Sequence, residues 1–549
     1  MCAHATRRTL LKGVGAGAAL AVTGCSAASG RGSSELIVYT GATGQLTNNF
    51  NPFTPTSNPP ARGIIYEPLM FFNQARNDDP APQLAESYEW SDGGKRITFR
   101  LRKGVTWSDG APFDSADVAF TFDLIRREES LNSYALPITE ARATDSHTVS
   151  IGFSRPVYAE LWYIAGYTFM VPEHLWSKVE NPATYPNTDP VGTGAFTLKE
   201  FSTQDYVLTR NRNYWQEGKP GIQAMRYISL SGNQAATKAL LAGKLDWTTL
   251  VIPRIDRTYV SRHETNDYVA TPLYLTVLIA NTVRGLTSDV AVRQALSLGF
   301  DRGQINDLVY NGKSEAPSPA MLLLPRDERY VAPELRGKRM RMNRQRARRI
   351  LEQAGYRRGD DGIFVSRRGE RLSLTLKITS GYTDYISTAN VLRQQLEKIG
   401  IELIPREVSY AAFTADRNNG EFQLAIDNLY GGPDPYYLYN DFYNSANTAP
   451  IGEQANPNYA RFRDDRVDEA LEAVGSTRDE RERERAYAEV QRVISEQLPY
   501  IPVLQRNAVT QYRTEAFTGW PTENDQYAVA AAQFAPDLGI VAKNLRVKQ

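Results

Sequence analysis

Leu372-Ser373-Leu374-Thr375-Leu376-Lys377-Ile378, then Ile386, Ala389, Leu392, Leu396 and Ile399, then Gly400-Ile401-Glu402-Leu403-Ile404, form the stretch that decides the fold. The first seven residues alternate apolar and polar, the period of a strand with one buried face. The next apolar positions lie three and four apart, the period of a helix, and Gly400 is a stop signal. A second strand opens at Ile401. Two strands joined through a helix make a βαβ unit, which favours a parallel, helix-covered sheet.

Upstream the pattern recurs: Arg226 to Leu230 reads as a strand, Asn233 to Leu241 as a helix stopped by Gly243, and Leu245 to Leu250 as another strand. Two α/β lobes follow. Between them the apolar run Leu273 to Ala280 is expected to cross from one lobe to the other. After it, Asp289 caps a helix carrying Val292, Ala295, Leu296 and Gly299 on one face, and Asp301 with Gln304 predicts a capping box. Further on, Phe422 to Asp427 reads as a strand after the turn Asn418-Asn419-Gly420. It runs into Asn428-Leu429-Tyr430-Gly431-Gly432-Pro433-Asp434-Pro435-Tyr436-Tyr437. Ligands of open α/β sheets sit beyond the carboxyl ends of strands, so this loop is the binding-site candidate.

Charge excludes other classes. With 63 basic and 62 acidic residues the net charge is +1, which recruits neither nucleic acid nor anionic substrates. The one basic run, Arg336 to Arg349, leads into a helix with Ala347, Ile350, Leu351 and Ala354 at helical spacing, and reads as a solvated face. Four histidines include no two-His metal spacing, so neither a metal nor a cofactor is expected. Gly312-Lys313-Ser314 imitates the end of a phosphate loop, but Asp307 stands where its first glycine belongs. The chain therefore reads as a non-enzyme. The alternative is a surface glycosidase, whose two acids need no local motif. Thirty tyrosines against 20 phenylalanines leave some aromatic rings free to line a cleft once the core is filled.

The first residues are an export address. Thr6-Arg7-Arg8-Thr9-Leu10-Leu11-Lys12, a Gly/Ala-rich apolar stretch and Val22-Thr23-Gly24-Cys25 make a secretory leader, too short in apolar length to span a bilayer. The paired arginines resemble a Tat signal and the ending resembles a bacterial lipobox. The resemblance implies that residues 1–24 are removed and Cys25 is acylated, with residues 25–35 expected to form a flexible tether. Cys2 leaves with the leader, so the mature chain has a single thiol and no internal disulfide.

From Tyr88 to Phe113 the chain carries Tyr88-Glu89-Trp90-Ser91-Asp92-Gly93-Gly94 and Gly104-Val105-Thr106-Trp107-Ser108-Asp109-Gly110-Ala111-Pro112-Phe113. Asp117-Val118-Ala119-Phe120-Thr121, Val191-Gly192-Thr193-Gly194-Ala195-Phe196, Val292-Arg293-Gln294-Ala295-Leu296 and Pro499-Tyr500-Ile501-Pro502 follow in order. Together these resemble the family 5 solute-binding proteins of ABC importers of the oligopeptide, dipeptide and nickel class.

The resemblance implies an α/β fold of the type II periplasmic-binding-protein kind, with two hinged lobes and a small inserted domain. Lobe one would comprise 36–281 and 506–549, the inserted domain 74–190, and lobe two 282–505. A small solute would bind between the lobes of a monomer, on the outer face of the bacterial cytoplasmic membrane, for delivery to ABC permease subunits. Cys25 would supply the contact with the bilayer. Peptide-binding relatives place an aspartate before the x-Pro pair of the second-lobe loop; here Gly431 takes that place, with Asp427 or Asp434 as substitutes. The Tyr-Gly-Gly-Pro-Asp-Pro-Tyr-Tyr loop instead looks like relatives that bind cello-oligosaccharides. Peptides are the leading solute and β-linked oligosaccharides the alternative. Site candidates are Asn428, Tyr430, Gly431, Gly432, Asp434, Tyr436 and Tyr437, with Asn51 and Phe53 from the other lobe. Of these, Tyr430, Tyr436 and Tyr437 are expected to stack on the solute.

Overall fold

The computed structural model describes residues 35–76, 78–455 and 457–548; the leader, Cys25 and the tether up to residue 34 lie outside the described residues. The largest sheet has eleven strands. They are β1 (Glu35–Tyr39), β2 (Phe196–Phe201), β3 (Asp205–Arg210), β4 (Ala224–Ile228), β5 (Trp247–Thr249), β6 (Asn266–Ala280), β7 (Ser314–Glu315), β8 (Ser373–Thr379), β9 (Glu402–Val408), β10 (Leu424–Leu429) and β11 (Tyr500–Arg513). In space the order is β9-β8-β10-β6-β11-β5-β1-β4-β3-β2, and β7 pairs with β11.

Two parallel sets sit in this sheet. β8 runs parallel to β9 and β10, and β1 runs parallel to β4 and β5. The βαβ reading holds: Leu374, Leu376 and Ile378 are fully buried on β8, and Ala389, Leu392 and Leu396 are buried on the covering helix Thr383–Glu397. The upstream helix spans Asn233–Leu241 as expected. Between the sets run the long antiparallel strands β6 and β11, paired from Asn266↔Arg513 to Ile279↔Tyr500. One end of β6 also pairs with β10, while the opposite end of β11 pairs with β5. Their register slips between Pro272 and Tyr274 and again between Thr276 and Val277.

Within residues 74–190 lies a separate antiparallel sheet in the order Ala85–Ser91, Arg96–Leu101, Thr148–Phe153, Ile138–Asp145. The residues of the dense motif build it. Trp107 is fully buried and its indole N–H donates to Asp117 Oδ2 at 3.0 Å, while the other oxygen of Asp117 accepts the Glu173 N–H at 2.9 Å. The Gly192 and Gly194 positions press on backbone, where a Cβ would lie 1.9 Å and 2.1 Å from the carbonyl oxygens of Ile65 and Ile64. Only glycine fits such an approach.

One capping expectation needs correction. Asp301 does cap the helix Arg302–Tyr310, accepting from Gly303 and Gln304 N–H. Gln304 does not complete the box: its side chain accepts from Gln395 Nε2, and Gln395 Oε1 takes the Asp301 N–H instead. A neighbouring helix has supplied the partner that the local sequence suggested.

Candidate ligand-binding site

A cavity of about 520 Å³ opens where the carboxyl ends of both parallel sets meet the slipped crossing of β6 and β11. Thr40 and Gly41 reach it from the end of β1, Thr249 to Ile252 from β5, and Tyr382, Asp384 and Tyr385 from the segment after β8. Tyr274 of β6 and Arg506 to Val509 of β11 also line the wall. Strand topology dictates the place, since parallel strands leave a crevice beyond their carboxyl ends.

An ion pair stands in this wall. Arg506 Nη1 lies 3.3 Å from Asp384 Oδ2, with both side chains at least 90% buried. The guanidinium also stacks over Tyr310, 4.2 Å from the ring centroid. Its Nε is buried without a hydrogen-bond partner, as is Oε1 of Gln533, which leaves one donor and one acceptor unsatisfied on wall residues. Gln533 Nε2 donates to the Tyr274 hydroxyl at 3.0 Å. Burial pushes the Tyr274 and Tyr310 hydroxyls up to about 12, so both stay protonated at neutral pH. Charges of both signs lie further along the wall, with Lys313 3.7 Å from Asp256, and Arg254 and Arg257 beside them. Among the described residues no cluster of three or more His, Cys, Asp or Glu side chains could hold a metal.

The predicted loop contributes less than expected. Asn428 lines the cavity, its Oδ1 accepting from Thr276 Oγ1 at 2.7 Å. Tyr430 is 46% exposed and stands edge-on to Tyr274 and Phe534 at 6.2 and 5.8 Å, so its ring remains free to meet a solute. Tyr436 and Tyr437 do not line the cavity. Both are core residues: the Tyr436 hydroxyl donates to Glu160 at 3.1 Å, and the Tyr437 hydroxyl accepts the Trp162 N–H at 2.9 Å.

Asp434 does not line the cavity either. It caps the helix Pro435–Tyr443, pairs with Arg483 at 2.7 Å and accepts from the Tyr330 and Tyr487 hydroxyls. Asp427 is held by Arg417. Gly431 and Gly432 are buried against Leu438 and against Trp162 and Tyr437, and so serve packing. Asn51 is fully buried, with Nδ2 donating to the carbonyls of Pro182 and Tyr185, and Phe53 packs edge-on against Trp176. Neither lines the cavity. Arg506, Asp384, Tyr274 and Tyr310 escaped the sequence reading. Applying the carboxyl-end rule to Leu372 to Ile378 as well as to Phe422 to Asp427 leads to Asp384.

Comparison with known proteins agrees with this geometry. Protein XP55 of Streptomyces lividans is 28% identical over 410 residues, 74% of this chain and 72% of that protein. The oligopeptide-binding protein AppA of Bacillus subtilis is 25% identical over 442 residues, 76% of each chain. A solved structure of a periplasmic oligopeptide-binding protein of an ABC transporter from Thermotoga maritima, with mannohexaose bound, superposes with a TM-score of 0.87. It shares 24% identity and covers 94% of this chain and 99% of its own, which shows the two-lobe type II fold. The family described as bacterial extracellular solute-binding proteins, family 5 Middle, matches residues 79–450. Carrying that family's sequence over most of its length and its fold around a cavity at the strand ends, the chain belongs to the family 5 bacterial extracellular solute-binding proteins.

Proposed function

We propose that this chain is the capture receptor of an ABC importer for peptides, binding them unaltered between two closing lobes and passing them to membrane permease subunits. The observation that carries the reading is the cavity itself, lined from both parallel sets at the irregular crossing of β6 and β11. In this reading the crossing serves as the hinge, near the register slip at Pro272–Tyr274, between lobe one at 36–281 and 506–549, with an inserted domain at 74–190, and lobe two at 282–505. Solute contacts to both lobes favour the closed form by the difference in affinity between closed and open states. Peptides suit a wall carrying both signs of charge, as Asp256 beside Arg254, Arg257 and Lys313 does. AppA, named for oligopeptide binding, supports the same solute class.

Neutral β-linked oligosaccharides are the second reading. Tyr274, Tyr310, Tyr382 and Tyr385 line the cavity, Tyr430 stands beside it, and the buried Arg506–Asp384 pair is already neutralised from within. The Thermotoga protein with bound mannohexaose lends that reading its precedent. Calorimetric titration with a peptide pool, cellopentaose and mannohexaose separates the two. Heat from peptides alone is expected; heat from sugars alone overturns the peptide reading. The receptor is no enzyme, so a bound oligosaccharide is expected intact after a day, and released monosaccharide contradicts this. Tat export and acylation of Cys25 place the receptor on the outer face of the cytoplasmic membrane as a monomer, and Cys25→Ser is expected to release it.

A further inference from the structure

Residues 336–371 hold 13 basic residues against four acidic ones, in a chain whose overall balance is +1. The basic run extends beyond one helix face. The helix Arg344–Gln353 buries Ala347 and Leu351 and exposes Arg346 and Arg349. The hairpin Arg357–Arg358 with Phe364–Val365 exposes Arg357 and Arg358, and the turn after it exposes Arg367 and Arg368. Turn and helix end abut: a Cβ on Gly355 would lie 1.9 Å from Arg367 Nε. Among the described residues, only Arg371 of the 13 cations is in an ion pair, with Asp361 and Glu402.

The helix is also charged against itself. Arg344 and Arg346 occupy its first turn, where the macrodipole is positive, while no basic residue and Glu352 occupy its last. Arg344 and Arg348 are like charges four residues apart, an arrangement that weakens a helix. Arg348 Nη2 donates to the Lys398 carbonyl and Asn343 caps the helix, but among the described residues no ion pair offsets Arg344, Arg346 or Arg349, and a surface that breaks local rules in this way suits an external partner.

We infer that this arginine face docks on an anionic phospholipid surface. Twelve of the 13 cations are arginine, whose planar fork matches phosphate oxygens two at a time. The inference rests on the anchored-receptor reading: from Cys25 to Glu35 ten residues reach at most about 35 Å, which keeps the domain beside a bilayer. Each arginine near an anionic leaflet adds to the attraction, and salt screens it.

The test uses the full chain carrying Cys25→Ser, so that its outcome does not depend on acylation. It is mixed with vesicles of phosphatidylcholine alone and with vesicles containing phosphatidylglycerol. Binding to the anionic vesicles is expected to be at least about tenfold tighter and to fall steeply with salt. Joint replacement of Arg346, Arg349, Arg357, Arg358, Arg367 and Arg368 by Gln is expected to remove that preference while leaving solute titration intact. The matching Lys replacements should keep most of it. Equal binding to both vesicle types, or an unchanged preference in the Gln variant, overturns the inference. So does absence of binding to either, which redirects the face to an acidic protein partner.

Discussion

Tyr430 and Tyr436 lie six residues apart in one stretch of sequence, and their surroundings give them opposite roles. Tyr430 is 46% exposed beside the cavity, whereas Tyr436 is 4% exposed and hydrogen-bonded to Glu160. Tyr430→Ala is therefore expected to weaken solute affinity by about 1 to 3 kcal/mol with an unchanged urea midpoint. Tyr436→Ala is expected to do the reverse first, lowering unfolding stability by about 3 to 5 kcal/mol through a core cavity. A stable Tyr436→Ala protein with weakened affinity would return that tyrosine to the site. Asp384 gives a third outcome. Its removal leaves the Arg506 guanidinium buried without its ion-pair partner, so Asp384→Ala should cost about 3 to 5 kcal/mol in urea unfolding. A loss below about 1 kcal/mol would place the pair effectively in solvent. None of these distinctions was legible from residue type: tyrosine suits a core and a cleft alike, and only its neighbours decide.

Elements were more legible where a single period ruled them. The alternation in Leu372 to Ile378 and the 3.6-residue spacing after it gave the βαβ unit, because each side chain there faces one core. The loop reading of Asn428 to Tyr437 runs past a helix start, since Asp434-Pro435 pairs a capping carboxylate with proline at the first helical position of Pro435–Tyr443. Seven of its nine helical residues are buried, the mark of a helix packed on all sides. Reading the pair that way places Tyr436 and Tyr437 on a buried helix, away from the cavity lining. The same element logic bears on the helix Arg344–Gln353. Replacing Arg346 with Glu puts an acid in a first turn that has none, and is expected to stabilise the protein by about 0.3 to 1 kcal/mol in thermal unfolding while weakening vesicle binding. Destabilisation instead would show that Arg346 already has a structural partner.

At the scale of the whole molecule, buried acids set how stability follows pH. Asp537 is fully buried, with Val529 N–H donating to Oδ1 and no partner on Oδ2, and burial pushes its carboxyl up to about 8. Burial likewise pushes Asp441 up to about 7, against the lowering effect of the Tyr163 hydroxyl. In the unfolded chain both acids ionise near pH 4. Between about pH 5 and 7 the unfolded chain has therefore lost protons that the folded chain retains, and stability falls as pH rises. Lys543, which burial holds down to about 8, acts in the opposite sense only above that value and leaves this window alone. The urea midpoint is thus expected to be higher at pH 5 than at pH 7. Asp537→Asn keeps an acceptor for Val529 and cannot ionise, so it should flatten the slope by up to about 1.4 kcal/mol per pH unit. A parent protein with equal midpoints at both values, or a variant with the parent's slope, would mean that Asp537 folds ionised and that an unseen donor satisfies its second oxygen.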